Sequence, residues 1–260
     1  MWKIVRMSLA FSGLSGVIVV LLLVYAYPAL AAVGCPSCFG MEYAGPRLVA
    51  DRGMSASMRG AVLEDAEAAA SVVRGFYGDF GRRPFLVACS TEDCDRRIGG
   101  RGAYAVTIST PFAAVLRLSP RGLDRTILTH EFSHVELHGR IGLRALFTGA
   151  FPAWFDEGVA ALVSSDERYL KSGERGGERC VSNRDRLLPV SPFEWGKVAG
   201  ADPMIYADAA CRVSYWLETS GGKNGLLRVL EDVAGGTAFT PDNGPADWKR
   251  SLRSGRHAEM

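Results

Sequence analysis

Three of the four histidines in this chain fall within His130–His138, in the run HEFSHVELH. Residues four apart lie on one face of an α-helix, so His130 and His134 can aim two imidazole nitrogens at one ion. Glu131 would then project beside that ion. This is the HExxH arrangement, in which two neutral imidazoles hold Zn²⁺ and the intervening glutamate takes a proton from water activated there. A catalytic zinc site needs a third protein ligand and an open position. A third histidine six residues beyond His134, as in metzincins, is excluded because that position is Arg140, a permanent cation. Downstream lies the run PAWFDEGVA, where Pro152 opens a second helical segment and Glu157 falls in its first turns, making Glu157 the third ligand.

These residues need elements to hold them. Ser119-Pro120 reads as a cap and first-turn proline ahead of the apolar-periodic run from Leu123, and Gly139 and Gly142 read as stop signals. The sequence therefore predicts a helix of roughly five turns carrying the two histidines. Before it, Pro84–Ser90, Tyr104–Thr110 and Ala113–Ser119 are short β-rich segments separated by turn residues, which should form a small sheet. Met54–Tyr77 has helical periodicity, with Val62, Ala66, Ala69, Val73 and Phe76 on one stripe and Glu64, Asp65 and Glu67 facing away. Ser164–Val190 is polar and reads as a surface excursion. From Met204 the helical period returns through Tyr206, Ala209, Ala210, Val213, Trp216 and Leu217, then Leu226, Leu227 and Leu230 after a Gly-Gly break, which predicts a helical subdomain.

HEFSH followed by WFDEGVA resembles the gluzincin metallopeptidases, thermolysin-like and aminopeptidase N-like, whose second motif reads W-x-x-E-G-x-A, and especially the small bacterial peptidase MA-like domains. The likeness covers Leu123 to Val163 and continues more weakly through Tyr206 to Leu230. The resemblance implies an α+β fold, with a small sheet followed by the active-site helix and a helical subdomain. It implies Zn²⁺ on His130, His134 and Glu157, Glu131 as base, and a peptide or protein substrate. It also places a tyrosine at the head of the helix that begins near Tyr206, as a donor to the developing oxyanion. An edge strand of such a sheet receives the substrate backbone, and Ala113–Leu118 is the expected one from its place just before the helix. One departure stands out. Thermolysin-like enzymes carry an aspartate four residues beyond the glutamate ligand to support a metal-binding histidine, whereas this chain has Ala161, so support must come from elsewhere, with Asp156 the nearest acid. His138 lies roughly 80° around the helix from His130, which makes it a neighbour of the site or a surface residue rather than a ligand. His257 stands too near the terminus for a catalytic role.

The 260 residues, 48% hydrophobic and 22% charged, suffice for one substantial domain or two small ones. A net charge of +2 is too balanced to suggest a nucleic-acid partner, and no nucleic-acid motif appears. The N-terminus differs in kind: Lys3 and Arg6 precede a run with no charged residue until Glu42, centred on Val17–Val24. A helix over residues 9–30 would be long enough to cross a bilayer, which needs about 20 residues. Three fates are open: a retained anchor, cleavage after Ala31 in the small-x-small sequence Ala29-Leu30-Ala31, or lipid attachment at Cys35. Each puts the remainder outside the cytoplasm. The chain thus divides into residues 1–33 as signal or anchor, 34–52 as linker, and 53–260 as the zinc metallopeptidase-like catalytic domain.

Six cysteines suit an oxidising compartment, with Cys35/Cys38, Cys89/Cys94 and Cys180/Cys211 as pairs. A structural zinc on Cys35, Cys38, Cys89 and Cys94 is the rival arrangement. Two functional readings follow. One is zinc-dependent peptide-bond hydrolysis by an exported or membrane-tethered enzyme, the other a non-catalytic, zinc-stabilised binding or assembly protein of the envelope. The intact Glu131 favours the first, because a structural site has no use for a base. Oligomeric state is not legible.

Overall fold

The structure is a computed structural model that describes residues 24–173, 176–182, 184 and 186–241. Most of the expected N-terminal span, and His257, lie outside the described residues. Among the described residues no helix is long and apolar enough to cross a membrane.

The fold is α+β and separates into two compact units. Among the described residues, the first comprises residues 24–64, 84–108 and 114–123, and is built on a mixed sheet. Its strands are β1 (Met41–Gly45), β2 (Leu48–Asp51), β3 (Phe85–Ala88), β4 (Ala105–Ser109, whose last residue belongs by contacts to the second unit) and β5 (Ala114–Leu118). The order is β1-β2-β3-β5-β4, with β1 antiparallel to β2 and with β2, β3 and β5 parallel in sequence of pairing. Helix α1 (Pro28–Gly34) packs Ala29 and Ala32 into a core with Met41, Val49, Val87, Ile98 and Val115. A second short helix, Glu92–Arg97, is capped by Thr91, whose side chain accepts from the Cys94 N–H.

Two expectations are corrected here. Residues 34–52, read as a linker, form a 3₁₀ turn at Pro36–Phe39 and the β1–β2 hairpin. Their glycine-rich composition marks the turns of that element: Gly40 takes φ +71° after the 3₁₀ turn, and Arg47 takes φ +58° in the hairpin. The strand expected at the edge, β5, is interior, lying between β3 and β4. All five of its residues are buried, the pattern of a strand covered on both faces, and the edges are β1 and β4.

Among the described residues, the second unit comprises residues 65–83, 109–113 and those from 124 to 241, and is mainly helical. In chain order, counting Glu92–Arg97 as α3, the helices are α2 (Ala56–Tyr77, which begins in the first unit), α4 (Arg125–Thr148), α5 (Ala153–Ser164), α6 (Pro192–Ala201), α7 (Ile205–Thr219) and α8 (Gly222–Ala234). Phe155 is fully buried and meets Trp216 and Phe239 edge-on, with ring centroids 5.1 and 4.9 Å away. The described residues of the excursion Ser164–Val190 include a bridge between Leu170 and Cys180 and a 3₁₀ turn at Gly176–Arg179. The pairs Cys35–Cys38 and Cys89–Cys94 are disulfides, so the sulfurs are bonded to one another and the four-cysteine zinc is not assembled. Cys180 and Cys211, expected to bridge, remain thiols that hydrogen-bond each other.

Candidate metal centre

The first histidine pair rides on α4, which starts later than the sequence suggests. Asp124 is the N-cap, accepting from the N–H groups of Thr126 and Ile127 at 2.8 and 3.3 Å, and Ser119-Pro120 instead leads into a separate 3₁₀ turn. The stop signal at Gly142 is real as an interruption: it takes φ +76° and ψ 160° inside the helix, which resumes to Thr148. Thirteen residues of this helix are buried, including His130, Glu131 and His134. Its far side is braced by polar contacts from the end of α2 and the segment after it. The Tyr77 hydroxyl meets Ser133 Oγ at 2.8 Å, and Glu136 accepts from Arg140 Nε at 2.8 Å and from the Gly81 N–H at 3.2 Å.

Glu157 comes from α5. Trp154, Phe155, Val159, Ala160 and Ala161 are buried and seat that helix in the core of the unit. Gly158 has a specific reason: a Cβ there would lie 2.6 Å from Val213 Cγ2 and 2.7 Å from the Ala209 carbonyl oxygen, both on α7. The missing side chain lets α7 pass against α5 beside the glutamate.

His130 Nε2 lies 3.1 Å from His134 Nε2 and 3.2 Å from Glu157 Oε2, and the His134 Nε2 to Glu157 Oε2 distance is 3.4 Å. Donors bound tetrahedrally at about 2.0–2.1 Å from one zinc are separated by roughly 3.3–3.4 Å. The three atoms therefore form one face of such a polyhedron. Electrostatics agrees with geometry. Asp156 Oδ1 takes the Nδ1 hydrogen of His134 at 2.8 Å, which leaves Nε2 of that ring with a lone pair. Nδ1 of His130 is buried without a hydrogen-bond partner among the described residues, while its Nε2 hydrogen-bonds Glu157 Oε2, so the polar contacts of that ring lie on the side facing the other two residues. Two imidazole nitrogens and a carboxylate oxygen converge on one point, held together in the ion-free protein by hydrogen bonds that a cation among them would replace. These residues could hold a metal ion, and the donor set of two imidazoles and a carboxylate fits a borderline-soft divalent one.

The ion-free charges show the same demand. Burial alone would push the Glu157 carboxyl up, but the imidazoles of His134 and His130 outweigh it and hold it down to about 2. Burial likewise opposes ionisation of Asp156, and His134 and His138 more than reverse that, keeping it well below the usual carboxylate range. Burial disfavours a charged His134, yet Asp156 and Glu157 raise it well above an ordinary histidine. A proton drawn there supplies the positive charge that a metal would replace.

Tyr206, at the start of α7, reaches the site. Its ring lies 6.0 Å from that of His130, and its ionisation is pushed up chiefly by the negative charge of Glu157, then by burial, with Glu131 adding to it. The phenol therefore keeps its hydrogen. Tyr169 stacks on Tyr206 with centroids 5.1 Å apart, and Trp195 meets it edge-on at 5.2 Å. Glu131 is buried beside the site, with 8% of its surface exposed.

The structure thus brings His130, His134, Glu157 and Tyr206 together, with Glu131 close enough to the phenol for their charges to interact. His138 joins through Asp156 rather than as a ligand of the same ion: its Nε2 is 2.8 Å from Asp156 Oδ2. Sequence reasoning missed Tyr169, Trp195 and Ser109, and only tertiary packing brings them in. A second group of possible ligands, Asp51 with Cys89 and Cys94, is of another kind, since the two sulfurs are disulfide-bonded and Asp51 accepts from the Ser90 N–H, the Ser90 hydroxyl and the Gly53 N–H. No family model, curated protein or solved structure matches this chain.

Proposed function

We propose that the chain is a zinc-dependent peptidase of gluzincin type that hydrolyses a peptide or protein substrate. The observation that carries this reading is the triangle of donor atoms, 3.1, 3.2 and 3.4 Å on its sides, with a buried glutamate next in sequence to one ligand and a protonated phenol beside it. Zn²⁺ held by His130, His134 and Glu157 would supply Lewis acidity, polarising the scissile carbonyl and making water acidic. Glu131 accepts the proton of the attacking water and delivers one to the leaving amine. Tyr206 donates its hydrogen to the oxyanion; in the ion-free protein the charge of Glu157, together with burial, holds that hydrogen on the phenol. Asp156 holds His134 in the tautomer that leaves Nε2 free.

The protein is tethered outside the cytoplasm by its N-terminal segment. Two features support retention over the other two fates. Cleavage after Ala31 would cut through α1, whose Ala29 and Ala32 are core residues, and Cys35 is bonded to Cys38, which removes the thiol a lipid would need. The intact mass of protein recovered from membranes tests this. An N-terminus at Ala32 or a lipidated Cys35 would refute it.

The test of the activity is zinc analysis combined with hydrolysis of a peptide library. The wild type should carry one zinc per chain and cleave peptides, and Glu131→Gln should keep the zinc while losing about 10²–10⁴-fold in kcat. Stoichiometric zinc with no cleavage of any peptide would favour a binding or assembly protein instead. Full activity in the glutamine variant would overturn the mechanism.

A further inference from the structure

Asp156 spends both carboxylate oxygens on imidazoles. Oδ1 meets Nδ1 of His134 at 2.8 Å, and Oδ2 meets Nε2 of His138 at 2.8 Å. An ionised carboxylate only accepts, so each ring must carry its hydrogen on the nitrogen facing Asp156. Neutral His138 then has a lone pair on Nδ1, which takes the hydrogen of the Ser109 hydroxyl at 3.0 Å. A directed chain results: Ser109 donates to His138, His138 to Asp156, and Asp156 accepts also from His134. His134, His138 and Asp156 are close enough to suggest a second metal group. Their 2.8 Å separations argue against one, being hydrogen-bond lengths, shorter than the roughly 3.3 Å between neighbouring ligands of one ion.

We propose that His138 is a positioning residue: anchored by Ser109, it holds Asp156 in the rotamer that makes His134 present the lone pair of Nε2. The inference rests on the reading of His130, His134 and Glu157 as a zinc site, and adds residues that the HExxH and W-x-x-E-G-x-A motifs do not contain. Its physical basis is satisfaction of a buried charge. Asp156 makes no ion pair with lysine or arginine among the described residues, and its two carboxylate oxygens meet imidazoles. Removing the His138 ring leaves Oδ2 without its donor, and the carboxylate turns toward whatever donor remains. His134 then loses its fixed orientation. Ser109 closes β4, and the turn that follows is pinned by Thr110, whose Oγ1 donates to the Ala113 carbonyl at 2.7 Å and accepts from the Ala113 N–H at 3.0 Å. The chain of bonds therefore begins on a rigid turn.

The experiment is competition for zinc between the metal-free full-length protein and a chromophoric chelator, with the d–d absorption of the cobalt-loaded protein as a second readout. Partners of metal-bound histidines are worth about 10–100-fold in affinity, and Asp156→Asn should fall in that range. His138→Ala should weaken zinc about tenfold, at the lower end of the same range, and shift the cobalt bands. His138→Gln, whose amide N–H can still reach Oδ2, should recover to within about threefold of wild type and restore the bands. Should His138→Ala not fold, His138→Asn takes its place, its shorter amide being expected to leave zinc as weak as the alanine would. Zinc bound equally tightly by wild type and the alanine or asparagine variant overturns the proposal, as does a glutamine variant no better than either. A wild type that binds no zinc refutes the zinc-site reading itself, a result distinct from both.

Discussion

In the sheet unit, Arg117 on β5 and Asp95 on the Glu92–Arg97 helix are almost wholly buried, and they pair with each other. Asp51 nearby in the same unit accepts three hydrogens from Ser90 and Gly53. In the helical unit, His130 and His134 are buried and Glu157 is half-buried, and their three converging atoms meet one another within 3.4 Å. Both clusters cost free energy to bury, since each takes polar groups out of water. The first is closed by donors of the chain, Arg117 meeting Asp95, and Ser90 and Gly53 meeting Asp51. The second draws a proton to His134, in the place a metal could take. Burial of charged residues therefore says little about function, whereas two imidazole nitrogens and a carboxylate oxygen converging on one point could hold a metal ion.

The comparison breaks first at the ligands. Glu157→Ala should weaken zinc by more than the roughly 10–100-fold expected for a residue that only supports a ligand. The zinc-free fold should survive, as circular dichroism would show; a variant that kept wild-type affinity would remove Glu157 from the site. The closed cluster should respond the opposite way. Arg117→Met leaves Asp95 as an unpaired buried charge and should cost about 3–5 kcal/mol in urea unfolding, while the double variant Arg117→Met/Asp95→Leu should regain most of it. No such rescue exists for a metal site, because a second apolar residue cannot replace a ligand. Gly158→Ala tests the packing that brings Tyr206 to the metal. Its Cβ would press on Val213 and on the Ala209 carbonyl, at 2.6 and 2.7 Å, and should cost about 1–3 kcal/mol together with a loss in kcat larger than any change in KM.

The mildest probe is pH. His134 in the ion-free protein is raised, so its contribution to stability is complete below its unfolded value of about 6.5 and is lost as pH climbs through the folded value. Glu157 is lowered to about 2, so its contribution is complete above its unfolded value and disappears as pH falls through about 2. Chelator-treated protein should therefore be most stable between roughly pH 4.5 and 6.5 and weaken above it. Zinc, which needs His134 without its Nε2 proton, should stabilise more as pH rises. Thermal melts with and without zinc from pH 5 to 9 would show the two curves diverging; parallel curves would detach His134 from the metal.

Much of this was readable in the chain because it is local. The spacing of His130 and His134 sets their common face whatever surrounds the helix, and Pro152 opening a helix brings Glu157 into its first turns. The three strand segments after Arg83 and the helices from Met204 onward were likewise visible in their periodicity, to within a residue or two. The strands at Met41–Asp51 were not, because residues that punctuate a hairpin look like those of a linker. Position along the chain also misplaced the sheet edge, which pairing order decides and the continuous apolar run of β5 already hinted at.

The amino-acid order by itself determined which residues can ligate and which helical faces they share, since i to i+4 geometry follows from the backbone alone. Tertiary structure decided the rest: that three donor atoms meet within 3.4 Å, that Gly158 admits α7 and so brings Tyr206, and that Ser109, His138 and Asp156 line up behind His134. Those relations join residues far apart in the chain. No local preference encodes them, because they exist only once apolar burial has packed α4, α5 and α7 against one another.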